Sequence, residues 1–523
     1  MRILVIDIDS LRPDHLGCYG YDRATSPIID SIAEDGVRFE RCYASDTPCL
    51  PSRTALATCR FGLKTGVVTH YGEGQRYDEP GNGHDPDAAR LPSFRHLAEN
   101  GVYTASVSSF SQRHMAHHFS ASFQEAIQPT ANAGTMAIED CSDVTPVAEQ
   151  WLDQHAEDEN WLLHVNYWDV HHPYLGIDPF LELVRDSGSA AQWPDAEAIA
   201  EQRGMTGVRC ADLWPAPAQY GPDWADDYDW RMPEQVTSRA DVEQFVDGYD
   251  ASIRRVDAEV AKLLAALERH GIREETAVVI TADHGEAFGE HGIYAEHAFP
   301  HPPCQQVPLV VSWPGVRDES ETESVDSLVY QFDLMPTICE LTNTPVPVEW
   351  DARAFTPALY GKQFAEREYI VSGHGIYTFG RAVYTDRWMY VRLLHPGVFT
   401  YPGLYNDPTM ANQGLELLHD LETDPYMEHN LVESHPKRTE HLRQILDRWI
   451  AEHLSDGWRE QRPDRSRGQD TLARMCATGP YLYVDPDALS DLYADLDRTE
   501  RQREALQRTI DTFGVKLQGL PQL

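Results

Sequence analysis

Basic residues are scarce in this sequence, and their scarcity excludes several classes of protein. The 523 residues contain 43 Lys and Arg against 84 Asp and Glu, which gives a formal net charge of −41. Proteins that bind nucleic acids or anionic membranes carry a basic surface, so we expect neither partner. Hydrophobic residues at 41% and charged residues at 24% lie near globular averages, and the length suits two or three domains.

Long apolar segments and paired cysteines are also absent from the sequence. No run of about 18 apolar residues predicts a membrane span, and the opening MRILVIDIDS lacks the apolar core and cleavage site of a secretory signal. The nine cysteines are scattered without a CxxC pair, which favours reduced thiols over disulfides or a zinc site. We therefore expect a soluble, cytoplasmic protein.

Strand-like apolar segments alternate with amphipathic helical ones from residue 1 to about 345. The clearest strands are predicted at 2–8, 161–167 and 276–282, and the longest helical pattern covers 242–270. Continuously apolar strands need cover on both faces. The pattern therefore predicts an α/β fold, with a large, mostly parallel sheet sandwiched by helices.

The character of the sequence changes twice along the chain. We predict a catalytic α/β domain at 1–365, with an insertion at about 175–235 that is too long for an ordinary connection. This insertion is rich in Trp, Pro and Asp, and it fits either a cover over a binding site or a packing arm. Shorter strands and one helix predict a smaller α+β domain at 366–455. The helical tail at 456–523 has no core of its own, so we expect it to contribute to a homo-oligomer.

Polar residues follow two of the predicted strands. Asp9 and Ser10 come directly after the opening strand, and Asp283 and His284 follow a later one. Open α/β sheets bind ligands outside the carboxyl ends of their strands, and carboxylate oxygens with an imidazole nitrogen can bind one cation. Taken alone, each segment is also explained as a helix cap or a solvated turn.

The segment CLPSR at 49–53 lies at the N-terminus of a predicted helix. Backbone N–H groups and the helix dipole there favour an anion and are expected to lower the pKa of the Cys49 thiol. The proline suits the first turn, and Arg53 can donate a fork of hydrogen bonds to a tetrahedral oxyanion. Chance would place Pro, Ser and Arg at these offsets after only about one Cys in several thousand.

In this order the segments resemble the sulfatase family of alkaline-phosphatase-like hydrolases. CLPSRTALATCR resembles the family's signature, in which a modifying enzyme converts the cysteine to formylglycine. DSLRPDHLGCYG and TADHG resemble its metal-binding segments, and FDLMPTICEL and LHDLETDPYMEHNL resemble later landmarks. The resemblance covers most of residues 1–455. It implies an alkaline-phosphatase-like fold, a sulfatase activity and a formylglycine-generating enzyme as a partner.

The resemblance also implies one divalent cation, held by Asp9, Ser10, the modified Cys49, Asp283 and His284. Ser10 stands where the family has a second carboxylate, which leaves fewer charged oxygens for the cation. We expect Ca²⁺, with Mg²⁺ or Mn²⁺ as alternatives. The hydrated aldehyde of residue 49 would be the nucleophile, since one hydroxyl can attack sulfur while the other remains to expel sulfate.

Histidines are the candidates for proton transfer, which the leaving group and the diol both require. The segment DVHHPY at 169–174 resembles a family segment and indicates His171 as catalytic, with His172 as an alternative contact. Family members usually have a lysine near residue 297. Here His297 stands there, with His301 as an alternative, so His297 joins Cys49, Arg53 and His171 in the predicted catalytic set.

Substrate contacts are less clearly indicated. The family's GKWH segment is replaced by SSFS at 108–111, so a second lysine is missing and His70, Arg113 or His114 could supply its positive charge. His374 is a candidate from the smaller domain.

The missing lysines leave three functions open. The first is hydrolysis of the sulfate ester of a sugar or other small organosulfate. The second is hydrolysis of a phosphonate monoester or phosphodiester, and the third is binding of a sulfated ligand without turnover. The acidic charge favours a small ester over a densely sulfated polymer, which it would repel.

Overall fold

The computed structural model describes residues 1–70, 72–75, 77, 92–130, 139–172, 174, 176–203, 232–233, 235–297, 299–316, 322–376, 379–395 and 416–460. Its two large sheets and flanking helices confirm the predicted α/β class. No helix in these ranges is long and apolar enough to cross a membrane. The predicted tail beyond 460 and much of the predicted insertion lie outside the described residues.

The strands are β1 (Arg2–Ile8), β2 (Val37–Phe39), β3 (Cys42–Tyr43), β4 (Asp46–Thr47), β5 (Tyr103–Val107), β6 (Glu125–Ile127), β7 (Trp161–Tyr167), β8 (Thr276–Thr281), β9 (Ala287–Phe288), β10 (Tyr294–Glu296), β11 (Leu309–Ser312), β12 (Ser324–Val325), β13 (Val329–Tyr330), β14 (Ile370–Gly375), β15 (Phe379–Tyr384), β16 (Trp388–His395) and β17 (Glu416–Asp420). The helices are α1 (Pro27–Glu34), α2 (Cys49–Thr58), α3 (Gly62–Thr65), α4 (Ser93–Glu99), α5 (Phe110–Arg113), α6 (His117–Ser120), α7 (Cys141–His155), α8 (Phe180–Ser187), α9 (Ala196–Gln202), α10 (Arg239–Arg269), α11 (Pro302–Gln305), α12 (Leu334–Leu341), α13 (Thr356–Leu359) and α14 (Pro436–Glu460).

The main sheet has eight strands in the order β12-β2-β11-β8-β1-β7-β5-β6. β1 lies in its middle and pairs in parallel with β7 and β8, while β11 runs antiparallel to both of its neighbours. The residues from Ile3 to Ile6 are at most 1% exposed, as expected for a strand covered on both faces. The long helix α10 packs against α1, α7 and α8.

A second sheet has five strands in the order β17-β16-β15-β14-β4. Four of them form an antiparallel series, whereas the two-residue β4 pairs in parallel with β14. β4 comes from the chain just before Cys49, so this sheet helps to fix the entry into α2. In the insertion, Trp193 stacks on Tyr426 with ring centroids 4.4 Å apart.

The local hydrophobic pattern of the sequence predicted the positions of most of these strands and helices closely. The strand predicted at 161–167 has those bounds in the structure, because a continuous apolar run is a strong local signal. Helix α2 begins at Cys49, the first residue of the CLPSR segment. Residue 49 therefore lies in the first helical turn, where backbone N–H groups have no partner within the helix.

Candidate active site

Three adjacent parallel strands deliver the candidate residues to one edge of the main sheet. β7, β1 and β8 are neighbours in that order. Asp9 follows β1, and Asp283 and His284 follow β8 within three residues of its end. Because parallel strands end at the same edge, the separately predicted segments meet there.

Four buried side chains form the centre of the site. The potential ligand atoms of Asp9, Cys49, Asp283 and His284 all lie within 4.8 Å of one another. Nδ1 of His284 is 2.9 Å from the carbonyl oxygen of Gly285. A carbonyl only accepts, so Nδ1 carries the hydrogen and Nε2 directs its lone pair toward the Cys49 sulfur, 3.0 Å away. An imidazole oriented in this way is suited to bind a metal.

The carboxylates of this centre carry more negative charge than the nearby arginine balances. Burial raises the pKa of Asp283, Arg53 lowers it, and the charge of Asp9 raises it again, leaving the pKa well above its usual range. For Asp9, burial is outweighed by Arg53 and His171, and the pKa falls. A divalent cation among these oxygens would supply the missing charge, so the donor set fits such an ion.

Arg53 is fully buried and joins the two carboxylates. Its Nη1 donates to Asp9 Oδ2 at 2.9 Å and to Asp283 Oδ2 at 2.5 Å. Its Nε donates to Asp7 Oδ2 at 2.8 Å. Sequence reasoning did not single out Asp7, although one acidic residue inside an otherwise apolar strand was a usable signal.

Ser10 reaches the centre through hydrogen bonds to both carboxylates. Its backbone N–H donates to Asp283 Oδ1 at 3.2 Å and its hydroxyl to Asp9 Oδ1 at 3.1 Å. Its φ of 59° lies in the left-handed region, which a non-glycine residue adopts only when its surroundings compensate the strain. These bonds orient the two carboxylates.

The thiol of Cys49 differs from the expectation. Burial raises its pKa well above the ordinary value, and the charges of Asp9 and Asp283 raise it further. The prediction that the helix N-terminus lowers this pKa is therefore wrong, because desolvation and two carboxylates outweigh the helix dipole. An unmodified thiol here stays protonated and is a poor nucleophile.

His171 is a neutral imidazole with a defined tautomer. Its Nδ1 lies 2.6 Å from the carbonyl oxygen of His172 and must donate to it, which leaves the lone pair on Nε2. Burial lowers its pKa to about 3 against the opposing effect of Asp9. A ligand nitrogen of His171 lies within 4.8 Å of Cys49 and of His297.

His297 has the opposite protonation. Its Nδ1 lies 3.4 Å from Oε1 of both Glu286 and Glu296. Burial lowers the pKa of His297, but the charge of Glu296 and the hydrogen bond to Glu286 raise it to about 9. The alternative contact His172 has its Nε2 3.9 Å from Glu296 Oε2. Sequence reasoning did not foresee Glu286.

Arg113 presents unused donors beside this centre. Its side chain is 8% exposed, with Nη1 4.0 Å from Asp9 Oδ2, and its guanidinium lies 3.7 Å above the ring of Trp168. Within the described residues, Nε and Nη1 of Arg113 have no hydrogen-bond partner. His70 accepts from the backbone N–H of Leu50 at 3.2 Å and packs near His114, with ring centroids 4.6 Å apart. Trp168 was not anticipated.

The two remaining candidates differ in position. His374 Nδ1 lies 2.9 Å from the Thr47 hydroxyl, two residues before Cys49. His301 instead has Nε2 2.9 Å from the Cys304 sulfur and its ring 5.2 Å from that of His291. These contacts place His301 in a neighbouring buried group rather than in the cluster around Cys49.

The fold and the polar centre define an α/β enzyme whose site lies at the carboxyl edge of a mixed sheet. The sulfatase family profile matches residues 2–344, well over half of the chain. The chain therefore belongs to the sulfatase family and is a sulfuric ester hydrolase, as its sequence motifs predicted.

Similarity to individual proteins extends over most of the chain. A Delta 4,5-hexuronate-2-O-sulfatase of Bacteroides thetaiotaomicron is 24% identical over 480 residues, covering 87% of this chain and 90% of that protein. An arylsulfatase of Clostridium perfringens is 23% identical over 487 residues, covering 85% and 93%. The solved phosphonate monoester hydrolase of Agrobacterium radiobacter has the same fold, with a TM-score of 0.62, 18% identity, and coverage of 87% and 96%.

Proposed function

We propose that this enzyme hydrolyses the sulfate ester of a sugar or other small organosulfate, with a formylglycine made from Cys49 as its nucleophile. The observation that carries the proposal is the position of Cys49 in the first turn of α2, with its sulfur among Asp9, Asp283 and His284. The sugar class is supported by the relative that acts on a hexuronate sulfate.

The surroundings of Cys49 favour a modified residue over a thiol. Its raised thiol pKa removes the reactive thiolate. A hydrated aldehyde offers two hydroxyl groups instead. One attacks sulfur and breaks the bond from sulfur to the ester oxygen, and the other gives up its proton as the aldehyde re-forms and sulfate leaves. The modification requires a formylglycine-generating enzyme as a partner.

A divalent cation would be held by Asp9, Asp283, His284 and an oxygen of modified residue 49. When bound, it supplies positive charge that lowers the pKa of a hydroxyl group and stabilises charge on sulfate oxygens. Ser10 orients the two carboxylates through its hydrogen bonds. The mainly oxygen donor set suits Ca²⁺, and the His284 nitrogen keeps Mn²⁺ and Mg²⁺ as alternatives.

We assign the proton transfers to two histidines on the basis of their charge. His171 is neutral, with a free lone pair on Nε2, and is the base that takes the proton when the diol collapses. His297 is protonated at neutral pH and is the acid that protonates the departing alcohol. Each residue is thus in the state its role requires before the reaction begins.

The sulfate group would be bound by donors around Cys49. Arg113 offers Nε and Nη1, and its stacking on Trp168 holds the guanidinium plane in one orientation. His70 bonds to the backbone N–H of Leu50 and His374 to the Thr47 hydroxyl, on either side of Cys49. Burial lowers the pKa of both histidines, so the positive charge that lets an anionic ester bind despite a net charge of −41 is supplied by Arg113 and the cation.

Two measurements test this proposal. Intact mass and peptide mapping of the native enzyme are expected to show residue 49 about 18 Da lighter than Cys. Purified, modified enzyme is expected to release sulfate from a panel of monosaccharide sulfates. Full activity in protein that retains an unmodified Cys49 would refute the formylglycine nucleophile.

Hydrolysis of a phosphonate monoester or phosphodiester at the same site is a second candidate. It is favoured by the pairing of Asp283 with a His rather than with another oxygen donor, together with the loss of a carboxylate at Ser10. Comparing kcat/KM for an aryl sulfate, a phosphonate monoester and a phosphodiester decides between the two, because this ratio reports the preferred transition state.

A further inference from the structure

Asp7 is an acidic residue in β1, a strand whose residues after Arg2 are all buried. Its neighbours Ile6 and Ile8 are at most 1% exposed, and Asp7 itself is 0% exposed. Since side chains alternate along a strand, Asp7 lies on the same face of β1 as Asp9. A carboxylate in such a position is costly unless it is paired, so its partner indicates why it is there.

The partner is the arginine of the active site. Arg53 donates to both oxygens of Asp7, from Nε at 2.8 Å and from Nη2 at 3.2 Å. This fork leaves Nη1 to bridge Asp9 and Asp283, the two carboxylates of the proposed cation site. One positive charge is therefore shared among three carboxylates, and Asp7 makes the only two-bond contact with it among the described residues.

Asp7 is itself held from the other side. His164 Nε2 lies 3.3 Å from Asp7 Oδ2, and its Nδ1 lies 3.0 Å from the hydroxyl of Ser106. This series of hydrogen bonds, from Ser106 through His164 to Asp7, crosses three neighbouring strands, β5, β7 and β1. Because the series is anchored in the sheet, it fixes the position of Arg53 next to the cation site.

We propose that Asp7, held by His164, is a positioning residue that sets the cation affinity of the site. Asp7 balances the positive charge of Arg53, so that the negative charges of Asp9 and Asp283 remain available to attract the cation. The inference rests on the cation site of the proposed function. Neither Asp7 nor His164 touches the substrate or the cation.

Asp7→Asn tests the inference, since it keeps the shape of the side chain and removes its charge. In this variant only Asp9 and Asp283 balance the charge of Arg53, so the arginine reduces the attraction of these two carboxylates for the cation. Loss of a residue that supports metal ligands costs about 10- to 100-fold in metal affinity, and we expect the Kd for Ca²⁺ and Mn²⁺ to rise by that factor. His164→Gln, which leaves the bond between Asp7 and Arg53 in place, is expected to raise it less.

The measurement is the Kd of the full-length, chelator-treated protein for Ca²⁺ and Mn²⁺, obtained by equilibrium dialysis without substrate. Asp257→Asn is the matched control. Asp257 is also fully buried, but it accepts from the backbone N–H groups of Ile28 and Ile29 and has no contact with Arg53. It is expected to lower the Tm without changing the Kd.

Each result separates the inference from the function on which it rests. A Kd that is unchanged in Asp7→Asn, while Asp283→Ala loses binding, overturns the role of Asp7 and leaves the cation site standing. If the wild-type protein binds neither ion, the proposed function fails instead. If Asp7→Asn does not fold, His164→Gln decides, and an unchanged Kd in that variant overturns the inference.

Discussion

The protonated state of His297 leads to a prediction about leaving groups. In the structure, His297 Nδ1 contacts Glu286 and Glu296, and the pKa of about 9 keeps the ring protonated at pH 7. Two pH units below that pKa, about 99% of the ring is charged. If His297 is the general acid, its removal should matter most when the departing group is a strong base.

The perturbation is His297→Gln, which removes the acid and keeps a polar side chain of similar length. General acid catalysis contributes about 10²- to 10⁴-fold. We expect kcat for an alkyl or sugar sulfate to fall by that factor. For 4-nitrophenyl sulfate we expect a much smaller loss, because nitrophenolate departs without protonation. In the wild-type enzyme, kcat for the sugar sulfate is also expected to fall as pH rises through about 9, where His297 loses its proton.

The assay is steady-state kcat on both substrates from pH 6 to about 10. His96→Gln serves as the control, since His96 is also a buried histidine but bonds to the carbonyl oxygen of Pro345. It is expected to leave the ratio of the two rates unchanged. Equal losses on both substrates in His297→Gln would refute the assignment of His297 as the acid.

Two further predictions concern charge. Arg113→Met removes Nε and Nη1, which have no hydrogen-bond partner among the described residues, and charged hydrogen bonds contribute about 1.5–3 kcal/mol each. We expect kcat/KM to fall on the order of 100-fold, which corresponds to a loss of about 3 kcal/mol in transition-state stabilisation. An unchanged kcat/KM would show that the sulfate group binds elsewhere. The net charge of −41 should repel a densely sulfated polymer. We therefore expect added salt to increase turnover of such a polymer by screening this repulsion, with little effect on turnover of a monosaccharide sulfate. Fast polymer turnover at low salt, with no gain on adding salt, would contradict this expectation.

Much of the fold was predictable from the sequence because its signals are local. Apolar runs located β1, β7 and β8, and the polar residues directly after two of them marked the carboxyl edge of the sheet. Parallel pairing then requires Asp9 and Asp283 to meet. These inferences need only the period of each element and the direction of the strands. Cys49 was indicated by the local CLPSR segment, and its role as nucleophile by the resemblance of that segment to the sulfatase signature.

The properties that control reactivity depend on the tertiary structure. The pKa of His297 results from burial and from the charges of Glu296 and Glu286, and that of Cys49 from burial and from the charges of Asp9 and Asp283. Local reasoning gave the wrong direction for the Cys49 thiol, since it included the helix dipole but not the carboxylates that folding places beside it.

The sequence by itself determined which chemical groups this protein has and at which strand ends they lie. Only the tertiary structure decided which histidine is charged, which carries a free lone pair, and which carboxylate neutralises Arg53. The link between Asp7 and Arg53 joins residues 46 positions apart, and that between His164 and Asp7 joins residues 157 apart. The reason is physical, because burial and electrostatic interaction depend on distance in space rather than along the chain.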